Sequence, residues 1–133
     1  MTLIQYVHYS RYMDIQETLI IFDALSQETR LRAFRLLVEA GMGGMPAGAL
    51  SEVLGIPHNT LSFHLNHLSN AGVVSSRKQG RSVIYSANFQ VVQDLIGFMV
   101  KDCCSAEFAS IKEDRNTGCT TIELKNCCGS TAV

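Results

Sequence analysis

Between Ala47 and Ala71 two short helical patterns are separated by only Gly55-Ile56-Pro57, and this break constrains the fold more than any other feature of the sequence. A glycine just past the last periodic residue ends one helix, and Pro57 opens the next where its missing N–H leaves nothing unpaired. The first helix is expected from about Ala47 to Leu54 and the second from Pro57 to Asn70 or Ala71, stopped by Gly72. Two helices joined by so tight a turn make a helix-turn-helix unit. After Gly72 the pattern changes to the two-residue period of strands. Val73 to Lys78 and Ser82 to Ala87 flank the turn Gln79-Gly80-Arg81 and are expected to form a two-stranded wing.

The flanks add helices. Asp14, with Glu17 three residues on, is suited to cap Ile15 to Leu25. Ser26 is expected to cap a second helix carrying Leu31, Phe34, Leu37 and Val38 at helical spacing until Gly41, and Gly41 to Pro46 reads as a loop. From Phe89 to about Cys104 helical spacing returns, with Val91, Leu95 and Phe98 on one line and Val92, Ile96 and Met99 beside it. That stripe is wider than one small domain needs, so the helix is expected to pair with its copy in a second subunit, Gly97 allowing close approach.

These elements define a mainly α fold with a β-hairpin wing (α+β), a winged helix-turn-helix. Residues 1–13 read as an N-terminal arm, 14–104 as the winged helix-turn-helix and dimerisation domain, and 105–133 as a cysteine-containing tail, flexible until a ligand orders it. With 133 residues, 47% of them hydrophobic, the chain can build one core and not two. No stretch approaches the roughly 20 apolar residues that cross a bilayer, and residues 1–12 lack the pattern of a secretory signal. A cytoplasmic protein without a membrane partner is expected.

The net charge of −1 argues against a polyanionic partner only as an average. Every Asp and Glu lies at or before Glu52 or at or after Asp94, so the stretch from Val53 to Gln93 holds Arg77, Lys78 and Arg81 but no acid. On a helical wheel of Pro57 to Asn70, Leu61, Leu65 and Leu68 share a core face, while Asn59, Thr60, Phe63, Asn66 and His67 share another. Short donors and acceptors beside an aromatic suit base edges and a thymine methyl in the major groove of double-stranded DNA. His58, Asn59, Thr60, Ser62, Phe63 and His67 are the candidate contacts from the helix, and Arg77, Lys78 and Arg81 those from the wing, where cations meet phosphate. His58, His64 and His67 have no acid or thiol nearby in sequence to complete a zinc site.

The segments Leu50 to Gly55, His58 to Leu65, Ala71 to Val74 and Gly80 to Tyr85, with Leu25 to Arg32 upstream, resemble the ArsR/SmtB family of metalloregulatory repressors over about residues 15–104. The resemblance implies a homodimer joined through its first and last helices, which represses a resistance operon until an inducer binds. One familiar family site needs cysteines where this chain has Met45 to Glu52, which contains none. Another needs histidine on the last helix, and Phe89 to Cys104 has none.

All five cysteines fall late in the chain, as Cys103-Cys104, Cys119 and Cys127-Cys128, an arrangement unlike a disulfide framework. Cys103-Cys104 resembles the pair that binds arsenite or antimonite in one subgroup. Trivalent arsenic or antimony takes three thiolates and a monomethylated arsenical takes two, so Cys119 is the candidate third ligand, with Cys127 and Cys128 as further ones. Arsenite, antimonite and methylarsenite all remain open as inducer, and no catalytic cofactor is expected. Two other readings stay open: a thiol-redox or persulfide switch on the same fold, and a cysteine-rich metal-binding or trafficking protein. No enzyme is expected, given the lack of any nucleophile-base-orienter set or phosphate-binding glycine loop.

Overall fold

The computed structural model describes residues 13–100, 109–114, 116 and 119–124. The chain divides into two units, Met1–Leu95 and Ile96–Val133.

The first unit opens with α1 (Ile15–Leu25), whose capping box forms as the sequence suggests: Glu17 N donates to Asp14 Oδ1 at 2.8 Å and Asp14 N to Glu17 Oε2 at 3.0 Å. The next cap differs. Gln27, not Ser26, starts α2 (Glu28–Ala40), its Oε1 accepting from Arg30 N at 2.8 Å. Ser26 instead closes α1, where its hydroxyl donates to the Asp23 carbonyl at 2.9 Å. With only Ser26 and Gln27 between the helices, the serine is used by the end it follows rather than the start it precedes.

A 3-10 turn (Gly41–Gly43) leads to the short strand β1 (Met45–Pro46), then α3 (Ala47–Leu54) and α4 (His58–Asn70). Gly55 ends α3 in the left-handed conformation (φ 66°), as the turn requires. β2 (Val74–Gln79) and β3 (Ser82–Ala87) follow, and α5 (Phe89–Val100) spans the boundary between the units.

The wing is a three-stranded antiparallel sheet in the order β1-β3-β2, not the expected hairpin alone. Met45 pairs with Tyr85 and Pro46 with Ile84, in a stretch the sequence marked as loop. Gly44 makes the pairing possible. At φ 71° it lies so close to β3 that a Cβ there would fall on the Tyr85 carbonyl oxygen and sit 3.0 Å from Ile84 Cγ2. The β2–β3 register pairs Gln79 with Ser82, leaving Gly80-Arg81 as a two-residue turn with Gly80 at φ 62°.

Leu37, Leu50, Leu61, Leu65 and Leu68 are fully buried with Ile21, Ala24 and Ala33, so α4 seats its leucine face on α2 and α3. Val74, Ile84 and Ala87 from the wing and Val91 and Leu95 from α5 extend this core. Of the apolar positions expected on α2, Phe34 and Leu37 are buried, whereas Leu31 and Val38 stay 44% and 41% exposed. On α1 the apolar residues outnumber the buried sites: Ile15, Leu19 and Phe22, spaced i, i+4, i+7, remain 56%, 53% and 42% exposed. They form an uncovered stripe along one face.

In the second unit β4 (Ala109–Asp114) and β5 (Cys119–Leu124) form an antiparallel hairpin running from the pair Ala109–Leu124 to the pair Asp114–Cys119. Regular structure here was not expected from the sequence. Among the described residues no helix is long and apolar enough to cross a membrane.

Candidate nucleic-acid interface

With Leu61, Leu65 and Leu68 committed to the core, α4 turns His58, Asn59, Thr60, Ser62, Phe63 and Asn66 to solvent. Phe63 is 67% exposed, costly in water unless something apolar meets it, and its ring stands edge-on to that of His64 with centroids 5.7 Å apart. Ser62 donates its hydroxyl to the His58 carbonyl at 3.0 Å, within its own helix. Asn59 and Thr60 are exposed.

His67, assigned to the reading face, is shared with a group the sequence could not place. Its Nε2 lies 3.3 Å from Asp23 Oδ2 on α1, 44 residues away. The fold thus brings an acid to the side of a segment that is acid-free in sequence. Asp23 is itself held: its carbonyl accepts from Ser26 N at 3.3 Å, Ser26 Oγ at 2.9 Å and Arg30 Nη2 at 3.4 Å. Arg30, buried although charged, also donates from Nε to the Ala24 carbonyl at 2.6 Å. Gln16, Leu19, Ile20 and Asp23 of α1 and Phe63, Asn66, His67 and Asn70 of α4 flank an open groove of about 540 Å³.

His64 lies at the flank of the helix. Its Nδ1 is out of solvent with no hydrogen-bond partner among the described residues. Burial, then the Arg30 guanidinium and His67, hold its pKa below the usual 6.5, favouring the neutral ring.

In the wing, Lys78 and Arg81 are exposed, Arg81 in the turn itself. Arg77 is exposed as well, but lies opposite Ile84 in the ladder, back from the tip, and its Nη2 donates to the Gly43 carbonyl at 2.8 Å. That contact ties the wing to the loop before β1. No pattern within the sequence links Arg77 to Gly43, or His67 to Asp23, because both contacts depend on how the elements pack.

Of the cysteines, Cys119 begins β5 opposite Asp114. Cys103, Cys104, Cys127 and Cys128 lie outside the described residues.

A helix-turn-helix whose second helix exposes a polar and aromatic face, followed by an antiparallel wing carrying cations at its turn, defines a winged helix-turn-helix domain of the kind that binds DNA. Residues 25–77 match the family model described as a helix-turn-helix domain. The chain is 38% identical over 80 residues to the transcriptional repressor SdpR of Bacillus subtilis (strain 168), covering 60% of this chain and 86% of that one. It is 32% identical over 89 residues to a Streptomyces lividans protein named "Probable mercury resistance operon repressor", covering 67% of each. The solved structure of an ArsR-like transcriptional regulator from Rhodococcus sp. RHA1 superposes with a TM-score of 0.55 at 31% identity, over 61% of this chain and 74% of that one. The chain belongs to the ArsR family of transcriptional regulators; its relatives are regulators and not enzymes.

Proposed function

We propose that the protein is a homodimeric repressor of an arsenic-resistance operon, acting in the cytoplasm, that holds operator DNA through α4 and the wing and releases it when a trivalent arsenical binds its C-terminal cysteines. The observation that carries the DNA-binding half is the exposed face of α4. Asn59, Thr60, Phe63 and Asn66 project from a helix whose other side is locked into the core, and Lys78 and Arg81 stand on the adjoining wing. Ser62 and Arg77 are secondary contacts, since both are already engaged on backbone carbonyls, whereas His58 is exposed at the start of the helix.

Dimerisation is supported by the uncovered stripe Ile15, Leu19 and Phe22 on α1. A two-fold axis would bury it against its own copy and place two reading helices for successive half-sites. The inducer half is supported by chemistry: adjacent thiols capture trivalent arsenic, and one relative's name links it to resistance to another soft, thiophilic metal.

The test is an electrophoretic mobility shift with DNA from upstream of the protein's own gene. Phe63→Ala should weaken binding about tenfold through lost apolar contact. Arg81→Ala should weaken it at all sequences alike and lower the salt slope by about one phosphate contact. Arsenite should dissociate the wild-type complex and leave Cys103→Ser/Cys104→Ser bound. Unchanged affinity in both DNA-contact variants would sink the interface, and release of the double cysteine variant would sink the sensor.

A further inference from the structure

The fold sets one acid beside α4, and that acid has a titratable partner. The sequence holds no Asp or Glu between Val53 and Gln93, yet the groove between α1 and α4 contains the carboxylate of Asp23, the sole acid among the described residues lining it. Phe63 and Asn66, proposed above to meet DNA, line the same groove. Phosphates that approach α4 therefore approach a carboxylate whose side chain is 74% exposed. Exposed charges act on one another over about 8–10 Å at physiological salt, so an unneutralised Asp23 opposes a polyanion. Facing it at 3.3 Å is His67 Nε2.

The chemistry of the two groups fixes where the ring carries its hydrogen. An ionised carboxylate only accepts, so Nε2 bears the hydrogen and Nδ1 is the position left over. With the ring neutral, Nδ1 is an acceptor and the pair keeps one negative charge. With the ring protonated, both nitrogens donate and the pair is neutral. Two other charged or titratable groups meet this pair: Arg30 of α2, whose Nη2 donates to the Asp23 carbonyl at 3.4 Å, and His64 of α4, which feels the charges of both Arg30 and His67. The remaining elements packed on α4 carry Glu52 on α3 and Arg77 and Lys78 on β2, all exposed.

We infer that Asp23 is a positioning residue for DNA binding and that operator binding is coupled to uptake of a proton at His67 Nδ1. The carboxylate holds the Nε2–H tautomer, and a proton from the buffer then turns the pair from an anion into a neutral unit as the phosphates arrive. This rests on the DNA-binding half of the reading above and adds to it a residue of α1, outside both the helix-turn-helix and the wing. Histidine is the side chain that ordinarily changes charge between about pH 5 and 8, so the coupling falls in the physiological range. Two such pairs in a dimer take up at most two protons per operator, a rise in affinity of about 100-fold per pH unit; half that uptake gives about tenfold.

The experiment uses the full-length protein and a fluorescently labelled DNA fragment from upstream of its own gene, with anisotropy read at pH 7.5 and 6.5 and constant ionic strength. Wild type should bind about tenfold more tightly at pH 6.5. His67→Gln, which cannot take up the proton, and Asp23→Asn, which has no charge to neutralise, should each cut this gain to about threefold or less. Asp23→Asn should also bind more tightly than wild type at pH 7.5. His58→Gln, altered at the exposed start of α4, should keep the full gain. A pair that served only the fold would change affinity equally at both pH values, and acid weakening of the fold would loosen binding, the opposite sign. Absence of the gain in wild type, its persistence in His67→Gln or Asp23→Asn, or its loss in His58→Gln overturns the coupling while leaving the DNA interface standing. Failure of wild type to bind the fragment at either pH overturns both.

Discussion

Replacing Leu19 with alanine tests the dimer seam on which the rest of the regulatory reading depends. Leu19 is the middle residue of the α1 stripe and is 53% exposed in the single chain. Full burial of a leucine side chain is worth about 1.5–3 kcal/mol, so covering the exposed half contributes about 1 kcal/mol per copy. A two-fold interface uses the residue twice, for about 2 kcal/mol per dimer. Leu19→Ala should therefore raise the dimer dissociation constant about 20–30-fold. Sedimentation equilibrium across a range of protein concentrations reads this directly, and helical circular dichroism checks that the fold is kept. Val53→Ala, on α3 and 62% exposed, is the matched control and should leave association unchanged. A dissociation constant for Leu19→Ala within about twofold of wild type would refute the assignment of this stripe to the interface.

Two further variants test the local physics. Gly44→Ala combines a left-handed backbone with a Cβ on the Tyr85 carbonyl and should lower the melting temperature by more than about 10 °C; Gly41→Ala, with a similar φ of 72° but open space around it, should cost only about 5 °C, so equal losses would show that the close approach of β1 to β3 carries no weight. His64 has a depressed pKa in the fold, so its contribution to stability is intact above 6.5 and is lost as pH falls through and below that value; urea midpoints at pH 7.5 and 5.5 should differ less in His64→Gln than in wild type, and an unchanged difference would remove His64 as the cause.

How much of this was legible in the sequence depends on the range of each interaction. The helix-turn-helix, the hairpin wing and the Asp14 capping box are written in spacings of a few residues, and all three appear where those spacings put them. The solvent-facing side of α4 was legible for the same reason, since Leu61, Leu65 and Leu68 define its opposite. β1 escaped notice because two residues make no period, and its signal, Gly44, has meaning only once Tyr85 is beside it. The β4–β5 hairpin escaped because its twelve residues alternate too weakly, with Ile111 and Ile122 the main apolar pair among polar neighbours. At Ser62 and His67 the side chains also have partners within the protein. Only Asp23, reached across the fold, explains the second of these.

Asp23 also links α1 to α4. Its backbone oxygen is pinned from three directions at the end of α1, while its carboxylate reaches the imidazole of His67 on α4. If α1 forms the proposed seam, tilting it would move the carboxylate that His67 meets on α4. An inducer acting at the far end of the chain would then need no route of its own to the reading helix; displacing the seam by a fraction of a helical turn would be enough.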